Sequence, residues 1–142
     1  MQRRDFIRAT CLTCTAVLGA GSLLSALSGC APLPVLKTST TDKVIVVQNT
    51  SFKPEQNLLV VKNSNLEFDI LLVRKKDGSY NALYMQCTHQ SQPLTANSSG
   101  LFCSAHGSSF DLNGNVVTEP AIRPLQKFRT ETENDTIKIY LS

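Results

Sequence analysis

Both histidines of the chain, and both cysteines found beyond residue 30, fall within the twenty residues from Cys87 to His106. They form a C-x-H pair, Cys87-Thr88-His89, and, after thirteen intervening residues, a C-x-x-H pair, Cys103-Ser104-Ala105-His106. Two thiolates and two imidazoles make a metal ligand set, and a chain that must bring two short loops to one point has few ways to fold. The spacing separates candidate metals. Structural zinc sites space paired ligands by two to four residues, so the i, i+2 pair of C-x-H wraps one tetrahedral ion poorly. The same pair reaches two different irons. With Cys87 and Cys103 on one iron and His89 and His106 on the other, two loops clasp a 2Fe-2S cluster between them. Two ferric ions, two sulfides and two thiolates sum to zero charge, whereas four thiolates bring the sum to minus two. An electron therefore enters at lower electrostatic cost, and neutral imidazoles raise the reduction potential. A zinc-stabilised, non-redox tip is the alternative reading of the same four residues.

The flanks extend the pattern. His106-Gly107-x-x-Phe110-Asp111-x-x-Gly114 and Pro120-Ala121-x-x-Pro124-Leu125 follow the second pair, and the whole stretch resembles the Rieske iron-sulfur proteins, with their second cluster loop and proline-bearing third loop. The resemblance implies an all-β fold, an antiparallel β sandwich or barrel with a small cluster-binding subdomain at one tip. It also implies solvent-facing histidine ligands through which electrons pass to or from a partner. On this reading the domain spans 43–142, with its cluster-binding part at about 84–125. Cys87, His89, Cys103 and His106 are the metal ligands, and Ser108 matches the family serine whose hydroxyl bonds a cluster sulfur.

The departures from the cytochrome bc-type branch are specific. Each cluster loop of that branch carries an extra cysteine, and the two form a disulfide; Gln92 and Ala105 stand at those positions here. Phe110 stands where high-potential members place a tyrosine with a second bond to sulfur. Each lost bond disfavours the reduced cluster, which places the expected potential below the top of the Rieske range, roughly −150 to +300 mV.

Residues 1–29 read as an export signal, with a basic start, an uncharged stretch from Ala9 to Gly29 and a small-residue junction. Arg3-Arg4-Asp5-Phe6-Ile7 resembles a twin-arginine signal, a route for folded proteins that suits a cluster assembled before export. Leu27-Ser28-Gly29-Cys30 resembles a bacterial lipobox, which makes Cys30 the expected lipidation site. A plain Sec signal and an uncleaved membrane helix are the alternatives for this stretch, whose uncharged run has about the length needed to span a bilayer. The five cysteines then divide: Cys11 and Cys14 go with the leader, Cys30 takes lipid, and Cys87 and Cys103 bind iron. Residues 30–42, with Ala31-Pro-Leu-Pro, read as a lipidated cysteine and a flexible tether reaching about 40 Å.

From Lys43 the signals are β. Lys43–Val47, Leu58–Val61, Leu66–Val73, Tyr80–Tyr84, Gly100–Phe102, Asn115–Thr118, Lys127–Thr130 and Thr136–Leu141 are short runs of strand-forming or alternating composition. Asp77-Gly78 and Asn113-Gly114 are hairpin turn signals, so the strand from Tyr80 leads directly into Cys87. The polar stretch Gln90–Ser99 reads as a surface loop without chemistry. Asp111, Asn113 and Asn115 mimic the start of a calcium loop, but Gly114 and Ile122 fall where that loop needs other residues, so a turn is the better reading.

Composition narrows the function. The net charge of +3 counts Arg3, Arg4, Arg8 and Asp5 of the leader; the remainder has eleven basic and ten acidic residues, +1, with no basic face for nucleic acid. An oxygenase active site needs a further mononuclear iron held by two histidines and a carboxylate, and the two histidines are already used. The expected protein is an electron carrier or an oxidoreductase subunit rather than an enzyme alone. It is exported, lipid-anchored on the periplasmic side of a bacterial membrane, and served by a redox partner such as a cytochrome or oxidoreductase subunit. As the Rieske subunit of a quinol- or substrate-oxidising complex it would instead use a cluster histidine in proton transfer as well.

Overall fold

In the computed structural model the described residues are 32–39 and 43–141. The expected signal, 1–29, and Cys30 lie outside them. Eleven strands form two sheets among the described residues. They are β1 (Val35–Thr38), β2 (Val44–Gln48), β3 (Leu58–Asn63), β4 (Ile70–Arg74), β5 (Tyr80–Tyr84), β6 (Thr95–Asn97), β7 (Gly100–Phe102), β8 (Ser109–Phe110), β9 (Val116–Thr118), β10 (Lys127–Glu133) and β11 (Thr136–Tyr140). A 3-10 turn at Asn49–Ser51 follows β2. The larger sheet runs β1-β3-β4-β5-β10-β11-β2 and the smaller β6-β7-β8-β9. Among the described residues no helix is long and apolar enough to cross a membrane.

The residue pattern explains the layers. Leu58–Val61 and Ile70–Val73 are unbroken apolar runs, the signature of strands covered on both faces. One face of these strands offers Leu58, Val60, Leu71, Val73, Leu83 and Met85 to the small sheet, where Leu101 and Phe110 meet them. The opposite face packs Leu59, Val61, Ile70, Leu72 and Ala82 against Ile45, Val47, Ile137 and Ile139. β2 and β11 alternate buried with partly exposed residues because only one of their faces is covered. Cys87 follows β5 by three residues, and Cys103 follows β7 directly. Both loops therefore grow from strands fixed in the same apolar layer, which includes Cys87 and Cys103 themselves.

Asp77-Gly78 forms the expected turn. Lys75 N–H donates to the Ser79 carbonyl at 2.8 Å, and the Asp77 carboxylate accepts from Ser79. Gly78 sits at φ 82°, a conformation that glycine adopts without a side-chain clash. Three expectations need correction. The proposed tether supplies β1, which pairs in parallel with β3, Val35 opposite Val60 through Thr38 opposite Asn63, so the sheet is not wholly antiparallel. Its backbone groups find partners there although its side chains stay half-exposed. The Gln90–Ser99 stretch is no simple loop, since it buries Leu94 and provides β6 as an edge of the small sheet. The strand expected from Leu66 starts only at Ile70. Leu66 N–H closes a turn on the Asn63 carbonyl at 3.1 Å, and Phe68 stands edge-on to Tyr84 with its N–H on the Tyr84 hydroxyl at 3.3 Å.

Candidate functional site

The two loops expected to carry the ligands are built alike. Cys87 N–H donates to the Gln92 carbonyl at 2.8 Å, and Cys103 N–H donates to the Ser108 carbonyl at 2.9 Å. Each cysteine amide thus closes a ring on the carbonyl five residues ahead, and each loop projects one histidine from inside that ring. The second ring is tightened by Gly107 N–H on the Cys103 carbonyl at 3.0 Å, with Gly107 at φ 81°. An exit anchor, Leu94 N–H to the Met85 carbonyl at 3.0 Å, returns the first loop to the end of β5.

The four side chains sort into two pairs. Cys87 and Cys103 are each 2% exposed, are not joined in a disulfide, and share a hydrogen bond. His89 and His106 are exposed, with ring centroids 4.9 Å apart and planes at 87°. Sulfur donors lie beneath, against the apolar layer, and nitrogen donors lie above, toward solvent. Among the described residues no three His, Cys, Asp or Glu side chains are grouped to hold one metal ion. The paired arrangement fits a two-iron cluster with sulfur ligands on one metal and nitrogen ligands on the other.

The hydrogen bonds around Cys87 favour a thiolate, the form that binds metal. Burial pushes its thiol upward. Donation from the His89 and Gln90 amides, with hydrogen bonds from Cys103 and Ser108, outweighs burial and holds it below the ordinary cysteine range. Donors arranged around a sulfur stabilise negative charge there, whether on a thiolate or on an iron ligand.

Ser108 is 1% exposed and does two things. Its hydroxyl reaches Cys87, and its oxygen accepts the Ala121 N–H at 3.0 Å. Phe110, 1% exposed, packs in the same apolar cluster as both cysteines. The approach of β7 to β8 beside it is close, because a Cβ on Gly100 would lie 2.2 Å from the Phe110 carbonyl oxygen. Asp111 is a turn residue, as expected from its spacing. Its carboxylate accepts from Asn113 N–H and Asn115 N–H, both at 2.8 Å, and from the Asn115 amide at 2.9 Å, which leaves it occupied by its own loop.

One group of site residues escaped the sequence reading. Thr88 lies between the first cysteine and histidine, and its hydroxyl donates to the Arg123 carbonyl at 2.6 Å. A cleft of about 350 Å³ opens there, lined by Cys87, Thr88 and His89 on one side and Arg123, Pro124 and Gln126 on the other. The C-x-H motif says nothing of its middle residue, and the partner is 35 positions away, so no local signal predicts the contact.

The chain matches the family described as Rieske [2Fe-2S] domain over residues 42–129. It is 24% identical over 140 residues to the cytochrome b6-f complex iron-sulfur subunit of Chlorobaculum thiosulfatiphilum, which covers 97% of this chain and 75% of that one. It is 36% identical over 58 residues to the chlorobenzene dioxygenase subunit alpha of Cupriavidus sp. (strain PS12), covering 38% of this chain and only 13% of that subunit's length. Its fold is similar to the crystal structure of the cyanobacterial plasma membrane Rieske protein PetC3 from Synechocystis PCC 6803. The TM-score is 0.51 at 24% identity, over 58% of this chain and 85% of that one. With a nearly closed sheet, a second small sheet and paired sulfur and nitrogen donors on two loops, the chain belongs to the Rieske [2Fe-2S] domain family, and with it carries a 2Fe-2S cluster and the work of Rieske-type electron transfer.

Proposed function

We propose that this protein is a membrane-anchored, exported one-electron carrier whose cluster is held by Cys87 and Cys103 on the inner iron and by His89 and His106 on the outer iron. The observation that carries this reading is the sorting of the four donors, with thiols buried against the apolar layer and imidazoles exposed and 4.9 Å apart. When bound, the cluster supplies a one-electron couple. The chain's own residues do the rest. Cys87 and Cys103 hold the cluster's buried side away from water. The His89 and Gln90 amides and the Ser108 hydroxyl place donors beside the Cys87 sulfur, which favours the more negative, reduced state. His89 and His106 present their rings to solvent, the side from which a redox partner protein such as a cytochrome or an oxidoreductase subunit makes its approach.

The anchoring rests on the leader, where Arg3-Arg4 and Leu27-Ser28-Gly29-Cys30 support twin-arginine export, cleavage after residue 29, lipidation of Cys30 and residence on the periplasmic side. The test has two parts. The purified protein is expected to show a reduced-state EPR signal with average g below 2, lost in Cys87→Ser and His106→Ala; a colourless, iron-free preparation from cells competent in cluster assembly refutes the ligand assignment. Cys30→Ala is expected to move the protein from the membrane to the soluble fraction, and retention in the membrane favours an uncleaved helix instead.

A second reading, the Rieske subunit of a quinol-oxidising complex, is favoured by the match to a cytochrome b6-f iron-sulfur subunit along nearly the whole chain. Gln92 and Ala105, in place of the disulfide-forming cysteines of the cytochrome bc-type branch, weigh against it. Co-purification with a cytochrome b-type partner separates the two readings.

A further inference from the structure

Most of the segment that reads from the sequence as a tether is built into the head. Leu33 packs against the apolar layer that holds the two cysteines, Pro34 is buried, and Leu36 packs against the opposite layer. The Pro34 carbonyl accepts the Val60 N–H at 2.9 Å, and β1 continues the pairing as far as Thr38, whose carbonyl accepts the Ser64 N–H at 3.4 Å. The register fixes the direction from which the chain enters. Val35 stands opposite Val60, Val60 opposite Leu71 and Leu71 opposite Leu83, and from Leu83 the chain runs on through Tyr84 to Cys87. β3 and β5 are both antiparallel to β4, and β1 is parallel to β3, so β1 points toward the cysteine loops and residues 33–34 lead in from the far end. Leu33, two residues behind the Val35 row, lies near the level of Asn81. Asn81 is six residues short of Cys87, about 20 Å along the strand direction.

Cys30 is three residues before Leu33, so an anchor at Cys30 leaves about 10 Å of chain before the first residue packed in the fold. A membrane helix ending at Gly29 leaves nearly the same length. To turn His89 and His106 onto the bilayer, the head has to lift Leu33 about 20 Å away from it, roughly twice what that free chain spans. With β1 unpaired, residues 30–42 would span about 40 Å and the tip would reach. We propose that β1 is a strap that seats the head on the membrane by the end remote from the cluster, so that the partner meeting His89 and His106 approaches from the aqueous phase. A quinol dissolved in the bilayer is out of reach as a direct donor, and a water-facing redox protein is the class of partner that fits.

This orientation rests on the membrane anchoring proposed above, and one experiment separates the two. The full-length chain, anchored in vesicles, is compared with two variants that carry the same flexible insert of about ten Gly and Ser residues, which adds roughly 18 Å of mean reach. One insert stands before β1, between Ala31 and Pro32; the other stands after it, between Thr41 and Asp42. Slow exchange of the Val60 N–H is read in each chain to show that β1 is paired. The readout is the microwave power that half-saturates the reduced cluster's EPR signal in vesicles with nitroxide-labelled headgroups, relative to unlabelled vesicles. That power rises as the cluster comes nearer the headgroups. The insert before β1 frees the head to turn and is expected to raise it severalfold over the parent. The insert after β1 leaves the strap and its short upstream chain as they were, and is expected to stay at the parent value. Equal values in all three chains overturn the proposal, because the strap then sets no orientation. Equal rises in both inserts overturn it as well, because β1 then holds nothing. Absence of the protein from floated vesicles refutes the anchoring itself, and the orientation falls with it.

Discussion

Ser108→Ala removes one oxygen and tests two couplings at once. Ser108 is 1% exposed, and its hydroxyl is the acceptor for the buried Ala121 N–H as well as a donor to the Cys87 sulfur. Deleting the acceptor strands an amide on a residue with 0% exposure, a loss of about 1–3 kcal/mol. For a domain of this size that corresponds to a melting temperature lower by roughly 5–15 °C. Deleting the donor acts on the cluster rather than on the fold. A hydrogen bond to a ligand sulfur strengthens when the cluster gains negative charge, and a difference of about 1–2 kcal/mol between redox states is ordinary for bonds to charged groups. At about 59 mV per tenfold, or 1.4 kcal/mol, for one electron, the midpoint should fall by about 40–85 mV. Film voltammetry and calorimetry on the same loaded preparations supply both readouts. A lower melting temperature with an unchanged midpoint would show that the hydroxyl serves only the third loop. No change in either would refute the coupling of Ser108 to the site.

Gly100→Ala drives a methyl group to within 2.2 Å of the Phe110 carbonyl oxygen, a backbone atom of a paired strand, so β7 and β8 must part; a loss of about 2–4 kcal/mol in denaturant unfolding, with reduced cluster content, is expected. His106→Cys adds a negative ligand, and its midpoint should fall on the order of 100–300 mV, toward the four-thiolate ferredoxins; an unchanged or higher midpoint contradicts the charge argument. Phe110→Tyr places a hydroxyl in the apolar layer beside both cysteines, where cluster sulfur is the partner it needs, so the midpoint should rise, and no rise would show that the ring's edge points elsewhere. At Asp111, burial raises the carboxyl's pKa, but donation from the Asn115 side chain and from the Asn115 and Asn113 amides, together with the charge of Lys127, outweighs it and leaves the pKa below the ordinary value. The sign follows: a depressed folded-state pKa contributes stability that is complete above the unfolded value, about 3.9, and is lost as pH falls through the folded one. Asp111→Asn should therefore be less stable than the parent at pH 7, with the gap closing below about pH 4 in parallel urea titrations.

What could be read from the residues alone, and what could not, divides along the range of the interaction involved. β5 and β7 were legible at their observed bounds because Asp77-Gly78 and the short apolar runs are local signals, and those two strands lead into Cys87 and Cys103. That the two cysteines and the two histidines would meet was legible because both motifs carry their own spacing. β1 was not, since in Val35–Thr38 only Leu36 packs against the core and the strand exists through a parallel ladder to residues more than twenty positions away. β6 was hidden for a similar reason: Thr95-Ala96-Asn97 offers only Ala96 to the core and is a strand because β7 lies beside it.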